Sequence, residues 1–450
     1  MDAATLSELR RKDAAFLIHP FTDHEELHRD GTHVIQSAQG CHVIDESGRR
    51  LLDGLAGLWC VNVGYGRREI ADAVHRQILE LSYYPSFFNS TTEPAILLAE
   101  KLASLAPRGI GRVFFSNSGS EANETALKLI RAWHHACGTP EKSKILSRSF
   151  SYHGVCLATT SMTGLASCRD PFDLPLTGFL EVPAPYAYGA GSSLSHEEYA
   201  AWCLEETARI IEREGAGSIA ALFAEPVQGA GGVIVSPPGH LRALRELCRR
   251  HDILFVADEV ITAFGRLGAW FASTLWDLEP DLVTMAKGIT SGYVPLAATA
   301  VCDRIADTLS QAGYLAHGFT YSGHPVAAAA ALANIEILER EKLVERVRDD
   351  VGPYFQDKLA SLAAHPAVAE VRGFGLIGAI ELVRPPAQNT PAALGIRAAA
   401  IARSQGIIVR GIRDLVALAP PLVIARDEID FLFAALQCTL DRLATGESAG

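Results

Sequence analysis

Two charged side chains stand at the ends of apolar runs that have the length and composition of buried strands. Lys287 comes two residues after the run 282–285, and Asp258 closes the run 253–257. An amine can form a Schiff base with a carbonyl compound, and a carboxylate can hold the protonated nitrogen of a pyridine ring. The pair therefore predicts a site for pyridoxal phosphate (PLP), with Lys287 and Asp258 as the residues that do the chemistry.

Each of these residues also has a structural interpretation. A carboxylate at the end of a buried strand needs a cation nearby, and Arg266 could supply one through a salt bridge to Asp258. A lysine at a strand end is most often a solvated surface charge, although little other charge surrounds Lys287. If Lys287 is instead desolvated, its pKa falls and it becomes a better nucleophile.

A cradle for a phosphate group is predicted where residues 116–123 follow a strand and open a helix. The residues there are small and leave backbone N–H groups accessible, and the helix dipole favours an anion. Gly119 and Ser120 would bind the phosphate, with a further hydrogen bond from the Ser120 hydroxyl. The same residues also fit an ordinary helix N-cap.

Tyr152 and His153 follow the next strand, near residue 145. A tyrosine at a strand end can stack on a planar cofactor, although a buried aromatic ring with a satisfied hydroxyl is the commoner case. A lone histidine beside a glycine is, by itself, more often structural.

The elements that must position these residues alternate between strand and helix. Strand-length apolar runs lie at 112–115, 144–146, 219–223, 253–256, 282–285 and 297–301, and helical periodicity spans 121–137 and 241–251. This alternation predicts an α/β fold with a mainly parallel central sheet covered by helices. Sites in such sheets lie at the carboxyl ends of the strands, where Asp258 and Lys287 fall.

The two ends of the chain have a different pattern. Residues 31–55 predict a small meander with a turn at 45–48, and a long helix is predicted at 325–340. The segment 345–445 has an α+β pattern with a polar loop at 385–391. We therefore predict a large PLP-binding domain at 61–325 and a discontinuous small domain made of 1–60 and 326–450.

The composition of the chain limits the kinds of partner and the cellular location that can be expected. The 450 residues carry a net charge of −12, which argues against nucleic acid or an anionic membrane as a partner. No apolar run approaches the length of a membrane span, and residues 1–16 lack the apolar core of an export signal. The nine cysteines contain no CxxC pair, which predicts reduced, mostly buried thiols in a cytoplasmic protein.

Other chemistries are not supported by the motifs. Residues 373–378 match GxGxxG, but they lead into a strand-like segment and no helix opens there, so a nicotinamide site is rejected. No HExxH motif or paired Cys/His spacing predicts a metal. Ser118 and Ser161 lack the GxSxG frame of a hydrolase nucleophile.

Taken together, these residues resemble the class III (omega) aminotransferases of PLP fold type I over nearly the whole chain. The most specific segments are 57–59, 117–121, 225–232, 258–261, 264–266 and 317–325. The resemblance implies that Lys287 forms the Schiff base, that Asp258 holds the pyridine nitrogen, and that Tyr152 and Val260 sandwich the ring. It adds to the cofactor-binding set Ser118, Gly119, Ser120, His153, Glu225, Phe319 and Thr320.

The resemblance also implies an assembly. Thr320 resembles a threonine that reaches the phosphate from the neighbouring subunit, so the protein is expected to be at least a homodimer with shared active sites. The choice between a dimer and a tetramer stays open.

The subgroup is indicated by a few positions. Ile261 stands where ornithine and 4-aminobutyrate enzymes usually carry glutamine, whereas the segments 57–59 and 319–320 look like those of amine:pyruvate and β-alanine:pyruvate enzymes. This subgroup implies an apolar substrate pocket. Its expected residues are Phe21, Trp59, Phe87, Phe88, Tyr152 and Ala230.

An arginine for the acceptor carboxylate is also implied. Arg410 aligns with an arginine that binds this carboxylate, but Arg413 is unusual for the subgroup and either could serve. Ala263 replaces a usual glycine.

The implied reaction moves an amino group from an ω-amino acid or primary amine to pyruvate, giving alanine through a pyridoxamine phosphate intermediate, with an expected (S)-preference. The alternatives on the same scaffold are an aminomutase or racemase, or a taurine, diamine or 4-aminobutyrate transaminase. A regulator without catalysis is disfavoured because Lys287 and Asp258 are both present.

Overall fold

The part of the chain that the structure describes folds around one seven-stranded sheet and three smaller sheets. The computed structural model describes residues 1–190, 192–384 and 393–446. The strands in these ranges are β1 (Ser37–Gln39), β2 (His42–Ile44), β3 (Arg50–Asp53), β4 (Ile110–Ser116), β5 (Lys144–Arg148), β6 (Phe179–Val182), β7 (Ile219–Ala224), β8 (Val227–Gln228), β9 (Ile234–Val235), β10 (Leu254–Asp258), β11 (Leu282–Met285), β12 (Ala297–Cys302), β13 (Val368–Phe374), β14 (Ile377–Leu382), β15 (Ile407–Ile408), β16 (Arg410–Ile412) and β17 (Leu415–Leu418).

The helices lie between and around these strands. They are α1 (Ala3–Phe16), α2 (His24–Asp30), α3 (Ala56–Trp59), α4 (Arg68–Glu80), α5 (Glu93–Leu105), α6 (Gly119–Ala136), α7 (Leu157–Ser161), α8 (Ala166–Arg169), α9 (His196–Glu214), α10 (His240–Arg250), α11 (Ala272–Leu275), α12 (Asp303–Gln311), α13 (Pro325–Arg340), α14 (Leu343–Arg346), α15 (Gly352–Ser361), α16 (Leu394–Ser404) and α17 (Arg426–Ala444).

The central sheet has the order β4-β12-β11-β10-β7-β5-β6. All of its neighbouring pairs are parallel except the two that involve β12, which runs antiparallel to β11 and β4. The predicted α/β fold with a mainly parallel sheet is therefore confirmed. The edge strand β6 was missed because only Val182 of its four residues is buried, so it lacks a continuous apolar run.

Side chains on the two faces of this sheet enter two different cores. In β10, Leu254 and Val256 pack in the cluster that contains Trp133 of α6, whereas Phe255 and Ala257 belong to the larger cluster on the opposite face. Alternate residues of a strand point to opposite faces. Since both faces are covered, the strands appear in the sequence as unbroken apolar runs.

The strand register brings the chemical residues together. Asp258 pairs with Thr284 of β11, and Ala257 pairs with Ala224 of β7. Glu225 follows Ala224 directly, and Lys287 comes three residues after Thr284. Asp258, Glu225 and Lys287 therefore meet at one edge of the sheet.

Residues from both ends of the chain share a sheet. The predicted meander forms β1, β2 and β3, and β3 pairs in parallel with β15, with Leu52 opposite Ile407. A second sheet has the order β13-β14-β17-β16. These two sheets and their helices form a discontinuous α+β unit, as predicted. The domain boundaries at 60/61 and 325/326 stay predictions. The polar loop predicted at 385–391 lies outside the described residues.

The GxGxxG segment forms a hairpin. Gly373 pairs with Gly378 and Phe374 with Ile377 across the antiparallel strands β13 and β14. No helix opens after the motif, so the rejection of a nicotinamide site is supported by the local structure.

The cysteine prediction was wrong in one respect. All nine cysteines are free thiols, but only Cys41, Cys203 and Cys248 are buried, while Cys137 and Cys438 are exposed and the other four are half-buried. Cysteine is usually buried, but Cys137 follows the last residue of α6 and Cys438 lies on an exposed side of α17. The cytoplasmic location stays a prediction. Within the described ranges, no helix has both the length and the apolar composition needed to cross a bilayer.

Candidate active site

A cavity opens at the carboxyl ends of β7, β10 and β11. Its lining residues are Gly119, Ser120, Asn123, Tyr152, His153, Gly154, Glu225, Asp258, Val260, Ile261, Ala286 and Lys287. The structure thus brings together most of the residues that the sequence predicted for the cofactor.

Asp258 is a buried carboxylate with three hydrogen-bond donors. Oδ2 lies 2.7 Å from both Asn123 Nδ2 and His153 Nδ1, and Oδ1 accepts the Val260 N–H at 3.1 Å. Burial acts to raise the pKa of Asp258, but the hydrogen bonds from His153, Asn123 and Val260 outweigh it, and the pKa is lowered. The carboxylate therefore stays ionised inside the protein.

The proposed salt bridge between Asp258 and Arg266 is absent. The buried Arg266 guanidinium donates to the carbonyl oxygens of Leu376 and Pro420 and to Asn62 Oδ1. It thus joins the large domain to the C-terminal segment. The negative charge of Asp258 remains directed at the cavity.

Asn123 is a site residue that sequence reasoning missed. Its Nδ2 donates to Asp258 and to the His153 carbonyl at 2.9 Å, and its Oδ1 accepts from Thr284 Oγ1 at 2.9 Å. These contacts determine which way the amide points. Its spacing in the sequence could have indicated this role, because a residue four positions after Gly119 lies on the same helix face as the phosphate cradle.

Glu225 joins two loops of the cavity wall. Its Oε1 accepts the Tyr152 N–H at 2.9 Å, and its Oε2 accepts the Gly229 N–H at 3.1 Å. Burial raises the pKa of Glu225 to about 7, although the nearby His153 opposes this shift. Glu225 is therefore a carboxyl group that titrates near neutral pH.

Lys287 occupies a strained turn directly after β11. Its φ angle is +46°, in the left-handed region that favours glycine. Asn334 of α13 holds this turn by donating to the carbonyls of Gly288 and Ile289 at 2.9 and 3.0 Å. Burial lowers the pKa of Lys287, and the charge of Arg410 acts in the same direction, while Asp258 and Glu225 oppose it.

The N-terminus of α6 forms the opposite end of the cavity. Ser118 caps this 18-residue helix, and its Oγ accepts the Glu121 N–H at 3.2 Å. Gly119 lies so close to Val260 that a Cβ at this position would be 3.0 Å from Val260 Cγ1. The first N–H groups of a helix have no partner within the helix, and Gly119 and Ser120, which carry two of them, line the cavity. Ser118 itself does not line the cavity, so its predicted role as a cofactor ligand stays a prediction.

Aromatic and basic side chains stand at the substrate side. The ring of Phe21 meets that of Tyr152 edge-on, with 6.4 Å between centroids, and the guanidinium carbon of Arg410 lies 4.9 Å from the centre of the Trp59 ring. Asp53 holds the turn before Trp59 by accepting the N–H groups of Leu55 and Gly57.

The two candidate arginines differ in their contacts. Arg413 donates from Nη2 to the Gly231 carbonyl at 2.8 Å and stacks on Phe150. No described residue forms a hydrogen bond or an ion pair with Arg410, although its charge acts on Tyr152 and Lys287. Burial lowers the pKa of Arg410.

A family model for aminotransferase class III matches residues 26–440 of the chain. The chain belongs to the class III aminotransferases. The predicted family resemblance is thereby confirmed, and the family is PLP-dependent.

Individual relatives match this aminotransferase over most of its length. The putrescine–pyruvate aminotransferase of Pseudomonas aeruginosa is 42% identical over 428 residues, which cover 94% of each chain. A mitochondrial gamma-aminobutyrate transaminase of Oryza sativa subsp. indica is 40% identical, covering 91% of this chain and 82% of its own. The solved (S)-enantioselective omega-transaminase from Thermomicrobium roseum has a TM-score of 0.94 at 44% identity, covering 98% of this chain and 99% of that one.

The groups that line the cavity of the aminotransferase are chemically suited to the parts of PLP. The accessible N–H groups of Gly119 and Ser120 suit a phosphate, the ionised Asp258 suits a protonated ring nitrogen, and Lys287 suits an aldehyde. The Gly119–Val260 contact leaves no room for a larger side chain at the phosphate end. All three groups line the same cavity.

A further group of predicted residues, at 87–88 and 319–320, does not line this cavity of the aminotransferase. Phe87 and Phe88 line a separate cleft together with residues 314–318, and the loop continues to Phe319 and Thr320. Phe88 is 88% exposed. An exposed aromatic patch of this kind is typical of an interaction surface.

Proposed function

We propose that this aminotransferase uses PLP to move an amino group from an ω-amino acid or primary amine to pyruvate, giving alanine. The observation that carries the proposal is the meeting of Lys287, Asp258 and the N-terminus of α6 in one cavity. The name of the P. aeruginosa relative supports a primary amine as donor and pyruvate as acceptor.

The chain's own groups have distinct tasks in this reaction. Bound PLP would supply an electron sink for the bond broken at the donor's Cα. Lys287 Nζ takes the proton from this Cα, and its lowered pKa increases the fraction of neutral amine available as a base. Asp258 stays ionised because of its hydrogen bonds, and its negative charge would hold the protonated ring nitrogen of the cofactor.

Arg410 is the residue we assign to the acceptor's carboxylate. Its guanidinium has no ionic partner among the described residues, and its charge acts on Tyr152 and Lys287 in the cavity wall. Planar guanidinium groups bind carboxylates through two parallel hydrogen bonds. Arg413 is already engaged by the Gly231 carbonyl, which makes it the weaker candidate.

We further propose a homodimer with shared active sites. None of Phe87, Phe88, Phe319 and Thr320 is among the residues that line the cavity of their own subunit, and Phe88 is exposed in a separate cleft. In a dimer, these residues would complete the substrate pocket and the phosphate site of the other subunit. Mixed dimers test this: a K287A subunit paired with a T320A subunit would regain one site with both wild-type residues, and an inactive mixture would contradict the sharing.

The central test is a donor screen with pyruvate. The purified enzyme is supplied with PLP and offered β-alanine, 4-aminobutyrate, taurine, putrescine and 1-phenylethylamine, and alanine formation is measured. We expect one alanine for each amine consumed. Activity on β-alanine and taurine with none on 1-phenylethylamine would contradict the apolar donor pocket. Conversion of a donor without alanine formation would indicate an aminomutase or racemase.

Lys287 provides the matched control for the chemistry. K287A is expected to lose alanine formation and to lose the borohydride-sensitive absorption of the holoenzyme. K358A removes a lysine on α15 that pairs with Asp430 and is expected to retain both properties. Turnover by K287A at the wild-type rate would overturn the proposed mechanism.

A further inference from the structure

Arg413 occupies a backbone position that an arginine rarely takes. It lies in the turn between β16 and β17, and its φ angle is +51°. Glycine and asparagine adopt this conformation with little strain. Backbone strain of this kind is concentrated at functional sites, which points to a function for the Arg413 side chain.

The Arg413 side chain crosses from this hairpin to two loops of the large domain. Nη2 donates to the Gly231 carbonyl at 2.8 Å, and the guanidinium carbon lies 5.3 Å from the centre of the Phe150 ring. The two loops touch each other here, because a Cβ on Gly231 would lie 2.0 Å from the Phe150 carbonyl oxygen. Arg413 therefore contacts both loops at a place where they touch.

Both loops carry residues that the sequence assigns to the substrate pocket. One carries Ala230, between Gly229 and Gly231, and the other leads from Phe150 to Tyr152. Glu225 holds both from beneath by accepting the N–H groups of Gly229 and Tyr152. Arg413 thus ties the hairpin to a wall that is itself rigidly held.

The other end of the hairpin carries the arginine assigned to the substrate. Arg410 begins β16, three residues before Arg413, and no hydrogen bond or ion pair with the described residues fixes its guanidinium. Its stacking on Trp59 is weak and non-directional compared with an ion pair. The direction in which Arg410 points therefore depends on where the hairpin is held.

We propose that Arg413 is a positioning residue that holds the hairpin so that Arg410 faces the pocket, and that it thereby sets the preference for carboxylated over uncarboxylated substrates. This rests on the proposed role of Arg410 in binding the acceptor's carboxylate. Arg413 makes no contact with substrate in this arrangement and acts through Arg410.

The test compares pyruvate with hexanal as acceptors for one uncarboxylated amine donor. R413G removes the side chain and suits the φ angle of the turn. It is expected to raise the KM for pyruvate about tenfold while the KM for hexanal changes less than about twofold. R413K, which keeps a donor but loses the planar stacking surface, is expected to lie between R413G and the wild type.

Arg384 offers a matched control at the same turn. It donates to Asp414, the residue after Arg413, at 2.6 Å from the solvent side. R384A loosens the turn without touching the pocket loops, so it is expected to lower the unfolding temperature and to leave the ratio of the two KM values unchanged. A ratio altered as much by R384A as by R413G would overturn the proposal.

The double variant R410L/R413G separates this inference from the proposed function. If Arg413 acts through Arg410, R413G has no further effect on the KM for pyruvate when Arg410 is already leucine. An undiminished effect, or an equal loss for pyruvate and hexanal, would overturn the role of Arg413. A wild-type KM for pyruvate in R410L itself would instead contradict the carboxylate-binding role of Arg410, and with it the proposed function of that residue.

Discussion

His153 Nδ1 lies 2.7 Å from Asp258 Oδ2, and both side chains are buried. A carboxylate only accepts hydrogen bonds, so Nδ1 carries the proton and donates it. The histidine therefore supports the ionised state of the residue assigned to the cofactor nitrogen. From the sequence alone, a histidine beside a glycine is more often structural. The structure places His153 against Asp258, where it stabilises the negative charge of the carboxylate.

Removal of this hydrogen bond should change the pH dependence of activity. In H153A, Asp258 loses the hydrogen bond that counteracts the effect of burial, and its pKa therefore rises. We expect the acid limb of the kcat/KM profile to move up by roughly one pH unit. H153Q retains an N–H donor and should move it less. An acid limb that stays at the wild-type pH in both variants would show that His153 does not control Asp258.

Glu225 should make stability depend on pH. Its pKa is raised from 4.5 to about 7 in the folded protein, so the native state binds more protons than the unfolded chain between these values. Its contribution to stability is therefore present at low pH and is lost as pH rises through this window. Relative to E225Q, the wild type should lose roughly 1–3 kcal/mol of unfolding free energy between about pH 4.5 and 7.5.

Denaturant unfolding at several pH values measures this difference. E80Q is the matched control because Glu80 is an exposed glutamate at the end of α4, and its difference from the wild type should stay flat. A flat difference for E225Q as well would contradict the prediction.

Trp59 should matter for both stability and acceptor binding. It is 2% exposed, and it carries the face on which Arg410 stacks. W59A should lower the unfolding free energy by roughly 3–5 kcal/mol and raise the KM for pyruvate about two- to fivefold through the lost cation–π contact. W59F should show a smaller rise. A drop in stability with an unchanged KM for pyruvate would limit Trp59 to a packing role.

Substitution of the adjacent carboxylates should affect two different properties: the activity in the case of Asp258 and the stability in the case of Glu259. Glu259 is fully buried and accepts hydrogen bonds from Thr262, the Ala272 N–H and two donors of Ser273. E259A leaves these donors without a partner and should lower the unfolding free energy by roughly 3–5 kcal/mol. D258N should instead lower kcat by about a hundredfold or more.

Thermal unfolding and steady-state kinetics on the same preparations distinguish the two. If E259A lost activity while retaining the wild-type unfolding temperature, Glu259 would belong to the catalytic machinery rather than to the structure.

Much of the fold could be predicted because the central strands are buried on both faces. Every residue of β7, β10 and β11 is buried, and all are apolar except Asp258 and Thr284, so these strands appear as nearly unbroken apolar runs and a charge at the end of such a run is conspicuous. The helices α1 and α2 gave no comparable signal, because none of their residues is buried. The site residues with the clearest predictions were accordingly those at strand ends and at the start of α6.

The order of residues in the sequence was enough to predict Lys287 and Asp258 as site residues, to predict a phosphate cradle at the start of α6, and to indicate the family to which the chain belongs. Only the tertiary structure placed Asn123 against Asp258, which is 135 residues away, and gave Arg410 and Arg413 different partners. Those outcomes depend on distances between segments that are remote in the chain, and a hydrogen bond requires its two atoms to approach within about 3 Å. No periodicity or motif along one segment records that approach.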